Sequence, residues 1–153
     1  MRTADDFLIT MRGIDDDTVG RAASASSLTL GGILRHLTPA ERVWTHIMVC
    51  GDGSTPDGMW DMEQHERPKD TTAAELIEAY RSATAATDAA VSEESDLARR
   101  VRLPEVPWAP DEVQHITVRG VLIRLLRETA HHSGHADIVR ESIDGANTTA
   151  QLG

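Results

Sequence analysis

The chain of 153 residues carries one cysteine, one lysine, five aromatic side chains and no long apolar run. With Cys50 alone, no intramolecular disulfide can form. No His or Lys flanks it to mark an activated thiol, so it reads as a small, half-buried residue at a helix end. The shortage of aromatics (Phe7, Tyr80, Trp44, Trp60 and Trp108) goes with a hydrophobic content of 40% carried largely by Ala, Leu and Val. That balance favours helices packed through aliphatic side chains over a β-sandwich. No apolar stretch approaches the roughly 18 residues that span a bilayer. The N-terminus lacks a basic segment followed by an apolar core, so the expectation is a cytoplasmic protein without a membrane partner. Basic residues are also in deficit: 15 against 25 acidic ones leave a net charge of −10, which argues against nucleic-acid phosphate as the main partner.

This length fits one domain with a sizeable core. A short first helix is expected over Ala4 to Arg12, ended by Gly13, with a brief turn at Asp15-Asp16-Asp17. The second helix should run from about Thr29 to Cys50. Thr38-Pro39-Ala40-Glu41 has the form of a cap, an N-terminal proline and a capping-box acid, and so predicts a break directly after His36. Gly51 to Asp70 reads as a loop anchored by Trp60 and Met62. Thr72 and Glu75 open a third helix, reaching about Val91, whose apolar face is Ala73, Leu76, Ala79 or Tyr80, Ala83 and Ala90. Residues 94 to 116 contain Pro104, Pro107 and Pro110 and are expected to be extended, the alternation of Val101, Leu103 and Val106 making either a short strand or a segment draped over a groove. Thr117 caps a last long helix that Gly145 ends. The fold class is therefore all-α, a four-helix bundle with a long loop between the third and fourth helices. Residues 1–145 form the domain, and 146–153 a flexible polar tail.

The last helix carries the chemistry. Its apolar stripe is Val118, Val121, Leu125, Ala136, Val139 and Ile143. At about 100° per residue, Glu128, His132 and His135 fall within about 60° of each other on that stripe. Unpartnered, a carboxylate and two imidazoles facing a core would cost several kcal/mol, and a divalent ion would satisfy them. Glu128 and His132, four apart, can share an ion but cannot complete its shell. The best third ligand is His36, whose stripe of Ile33, Ala40, Val43 and Ile47 also points it inward. Such a set suits zinc first, with nickel, manganese or iron as alternatives, and three ligands leave an open position for catalysis. His131 and His135, also four apart, form the competing pair. His46, His65 and His115 read as satisfied core residues.

These residues carry a family resemblance. The segment Ser27-Leu-Thr-Leu-Gly-Gly-Ile-Leu-Arg-His36-Leu, with Arg127-Glu-Thr-Ala-His-His132-Ser-Gly-His-Ala-Asp-Ile-Val-Arg-Glu141 and Ile143-Asp-Gly145, resembles the DinB-like superfamily. The likeness is greatest to the actinobacterial branch that includes mycothiol-dependent maleylpyruvate isomerase. It implies a four-helix bundle with a metal on His36, Glu128 and His132, and with His135 as neighbour or substitute ligand. It also implies a low-molecular-weight thiol, such as mycothiol, activated for S-transfer or isomerisation, and points to a homodimer.

The first expectation is thus a metal-dependent thiol transferase acting on a small molecule. Arg124 is placed to bind an anionic substrate or thiol carboxylate, and Arg127 reads as part of a solvated helix face. A metal-dependent hydrolase with His135 or His131 relaying a proton is the alternative. A non-catalytic metal-binding stress protein would close the shell with a fourth ligand, His135.

Overall fold

The computed structural model describes residues 3–56, 71–106 and 112–152. Its elements are α1 (Thr3–Thr10), α2 (Asp16–Val19), α3 (Leu30–Cys50), α4 (Ala73–Glu93), β1 (Arg100–Arg102), β2 (His115–Thr117), α5 (Val118–Asp144) and α6 (Thr148–Leu152). Helices α1, α3, α4 and α5 make the bundle: α3 packs on both α4 and α5, and α1 on α5. The expected anchors Trp60 and Met62, with His65, Pro107, Trp108 and Pro110, lie outside the described residues.

Local chemistry sets the helix ends. Thr29 accepts from the Gly32 amide, Thr117 accepts from that of Gly120, and Thr72 and Glu75 complete a reciprocal capping box. Gly145 ends α5 at φ 81°, the left-handed conformation that costs glycine least. On α4 the buried face is Ala73, Leu76, Tyr80, Ala83, Thr84 and Thr87, so Tyr80 rather than Ala79 takes the core position. Tyr80 meets Phe7 of α1 edge-on, with ring centroids 5.1 Å apart.

Three expectations change. The predicted break after His36 does not occur: α3 is continuous through Pro39. Thr38 is buried, and its Oγ1 donates back to the Leu34 carbonyl at 2.7 Å instead of capping a new helix. Packing on both α4 and α5 outweighs the cap-like tetrapeptide. The connection before α5 contains a two-stranded antiparallel ladder, with Val101 opposite Ile116. Its second strand was not anticipated, because three residues are too few to show a period. Finally, Thr148–Leu152 is helical. Thr148 donates from backbone and side chain to Asp137 Oδ1, at 2.9 and 2.8 Å, and Arg12 donates to the Gln151 carbonyl at 3.0 Å.

The core forms two clusters. One joins Phe7, Leu30, Ile33, Leu34, Leu37 and Tyr80 with Ala136 and Val139. The other joins Ile47, Met48, Val101, Val118 and Val121 beneath the strand ladder. Arg99 ties the ladder to the bundle, its Nη2 donating to the Met48 carbonyl at 2.8 Å and its Nε to Glu94 at 3.0 Å.

Candidate metal centre

The seam between α3 and α5 brings together three of the residues singled out in the sequence. His36 Nε2 and His132 Nε2 each lie 3.9 Å from Glu128 Oε2. One ligand atom from each of the three falls within 4.8 Å of the others, and the two imidazole centroids are 4.6 Å apart. α5 supplies Glu128 and His132 one turn apart, and α3 supplies His36 from across the seam.

Their depth differs from expectation. The side chains of His36, Glu128 and His132 are 49%, 25% and 16% exposed, so His36 lies at the mouth of the seam while His132, its Nδ1 buried, reaches into it. On α3 the buried side runs through Leu30, Ile33, Leu34, Leu37 and Glu41, leaving His36 on its flank and Ala40 and Val43 half-buried. On α5 the buried line passes through Val121, Leu125, Thr129, Ala136 and Val139. His132 falls within that line and Glu128 at its edge, facing His36 across the seam.

The electrostatics favour the forms that bind metal. Arg127 Nη2 donates to Glu128 Oε1 at 2.9 Å, and this bond holds the Glu128 carboxyl below its ordinary range. The Arg127 charge and the imidazoles of His132 and His36 add to the effect, against the opposing influence of burial. Burial lowers the His132 pKa, with His36, His131 and His135 adding repulsion and Glu128 opposing them. An ionised carboxylate and a neutral imidazole are the ligand forms. Arg127 is 73% exposed, on a solvated helix face as expected, and adds this bond to Glu128.

The other candidates surround this cluster. His135 lies beside it, with its ring centroid 5.5 Å from that of His132. His131 is exposed, its ring 4.5 Å from that of His135. Arg124, one turn before Glu128, lies over Trp44 of α3 with its guanidinium carbon 5.3 Å from the ring centroid. Trp44 was missed as a site residue, because only the α3–α5 crossing places it under Arg124.

Of the histidines expected in the core, His115 is exposed on β2. His46 is half-buried, with Nε2 3.0 Å from Ser54 Oγ. Cys50 is exposed, not half-buried, and its Sγ lies 3.8 Å from His46 Nδ1. That neighbour, one helical turn back, was visible as a four-residue spacing.

The family model described as Mycothiol-S-transferase matches residues 2–145. The chain belongs to that family. The Mycothiol-S-transferase family falls in the DinB-like superfamily, as the resemblance implied. No curated protein and no solved structure matches the chain. Membership in the Mycothiol-S-transferase family, together with the His-Glu-His cluster, makes the chain a metal-dependent enzyme of the DinB-like type. No described helix is long and apolar enough to cross a membrane.

Proposed function

We propose that this enzyme joins the sulfur of a low-molecular-weight thiol, mycothiol in the first instance, to an electrophilic small molecule in the cytoplasm, and that it works as a homodimer. The observation that carries this reading is the trio of donor atoms on His36, Glu128 and His132 within 4.8 Å of one another in the seam. Ligands on a tetrahedral zinc stand about 3.4 Å apart, given bonds near 2.1 Å. The donors would close by up to about 1.4 Å, a movement within reach of the half-exposed His36 side chain. Two imidazoles and a carboxylate suit zinc, with nickel, manganese or iron as alternatives.

The ion supplies a Lewis acid that favours the ionised form of a thiol. The protein's own groups do the rest. Arg124 holds a carboxylate of the thiol or substrate at the far end of the seam, steadied by Trp44 beneath it. His135 and His131 are the bases near the cluster, able to take the proton the thiol releases. The ionised sulfur forms a carbon–sulfur bond, and the electrophile's displaced group or electron pair takes up a proton. Three donors of this kind leave a position on the ion for the thiol.

The test uses protein purified without a histidine tag or chelator. Metal content is measured first, then consumption of mycothiol in the presence of an alkylating electrophile. One ion per chain and metal-dependent thiol consumption are expected. Hydrolysis of an ester or amide without thiol consumption would replace this reading with the hydrolase.

A further inference from the structure

Cys50 ends α3 on the side that meets α4, about 21 Å along the helix from His36. Gly51 and Gly53, at φ 70° and 86°, turn the chain there, and the turn folds Ser54 back over His46. Three hydrogen bonds then run in one direction. Ser54 bonds the Asp52 carboxylate through its hydroxyl and, at 2.8 Å, through its amide, and the two hold that carboxyl below its ordinary range. A carboxylate only accepts, so the Ser54 hydroxyl proton points to Asp52 and an oxygen lone pair faces His46 Nε2, 3.0 Å away. In the neutral imidazole Nε2 then carries the proton, and Nδ1 is left as an acceptor 3.8 Å from Cys50 Sγ. The order is that of a nucleophile, its base and a group that fixes the tautomer of the base.

Beside the thiol, α3 and α4 flank an open cavity of about 300 Å³. Val49, Ala83 and Ala86 give it apolar walls, and exposed Arg42 stands at its rim one turn before His46. Val49 is 59% exposed, an apolar side chain uncovered next to the thiol. Such a cavity can hold the body of a small molecule against the alkyl walls and its carboxylate against Arg42. Attack on a carbonyl would build charge on oxygen and call for donors aimed at it. Attack on a disulfide asks only for an ionised thiol and access to sulfur, which this largely alkyl lining allows.

We propose that Cys50, with His46 as its base, is a site of thiol–disulfide exchange for a low-molecular-weight disulfide that bears a carboxylate. His46 Nδ1 takes the thiol proton, and Cys50 Sγ bonds to one sulfur of the disulfide as the sulfur–sulfur bond breaks. The departing thiolate takes the proton back from His46 and leaves as a thiol. The chain has no second cysteine, so the mixed disulfide stays until an external thiol reverses it. This site lies apart from the α3–α5 seam and does not rest on the metal reading.

The test follows modification of the full chain at pH 7 by intact mass. Its probes are glutathione disulfide and the uncharged bis(2-hydroxyethyl) disulfide, with N-acetylcysteine as the reference thiol. Cys50 reacts with glutathione disulfide at least about tenfold faster than the reference does, and Cys50→Ser takes up nothing. His46→Gln, shown to be folded by circular dichroism, loses that advantage, and Ser54→Ala loses part of it. Arg42→Gln slows the reaction with glutathione disulfide and leaves that with the uncharged probe unchanged. A wild type no faster than the reference, or a folded His46→Gln as fast as the wild type, would overturn the site. Equal rates of Arg42→Gln and wild type towards glutathione disulfide would overturn the carboxylate assignment.

Discussion

His36, Glu128 and His132 supply three donors, so loss of any one leaves two, too few to hold an ion against water and buffer. Alanine at any of the three should remove most of the bound metal in equilibrium dialysis, while His115→Ala, exposed on β2, should keep it. Full occupancy in His36→Ala would remove that residue from the site. Arg124 is a binding residue in this scheme. Arg124→Gln should raise KM for an anionic thiol or substrate about tenfold, a loss of about 1.4 kcal/mol, with metal content unchanged. An unaltered KM would return Arg124 to a surface role over Trp44. At this scale the trio that the fold brings together was legible, because a Glu and a His four apart on a helix must share a face. Depth was not: a helical wheel resolves side chains to within a residue or so, and one residue separates Leu37 in the core from His36 at the mouth.

At the scale of elements, Arg140 shows a buried charge used as a helix terminator. Its Nη1 donates to the carbonyls of Thr10 and Arg12 at 2.7 and 2.9 Å, where α1 ends, while its Nε bonds Asp144. Arg140→Met keeps much of the packing volume but leaves the buried Thr10 carbonyl without this donor. A loss of about 2–4 kcal/mol in urea unfolding is expected. Glu94 caps the end of α4 and holds Arg99, which leads into the ladder. The hydrogen bond from Arg99 holds its carboxyl below the usual range, with help from the Asp96 amide. A depressed carboxylate contributes stability that is present above its unfolded pKa of about 4.3 and is lost as pH falls through the folded value. Glu94→Gln should therefore lower Tm at pH 7, and the gap from wild type should close as the solution is acidified. A gap independent of pH would show that the ion pair contributes nothing. The caps at Thr29, Thr72, Thr117 and Gly145 were legible because each is a contact between near neighbours. The continuity of α3 and the pairing of β1 with β2 were not, since each depends on partners distant in sequence.

For the whole molecule, a metal held between α3 and α5 as proposed would bind the folded chain and not the unfolded one. Stability therefore rises with free ion, by about 2.7 kcal/mol at a hundredfold excess over Kd. Chelation should lower Tm, restoring zinc should raise it again, and His36→Ala should show neither response. Equal Tm values with and without metal in the wild type would mean that no ion bridges the two helices.

Sequence alone determined the helical class, the caps at Thr72, Thr117 and Gly145 and the three donor types, because spacing on a helix and capping by a neighbouring side chain are local consequences of covalent geometry. The angle and depth at which α3 meets α5 were decided by tertiary packing. That crossing sets His36 against Glu128, slides Arg124 over Trp44 and rolls Ile123, Leu126 and Ile138 outward. Periodicity gives each helix a buried side, but only the competition among all the buried sides for a shared core decides how far each helix turns.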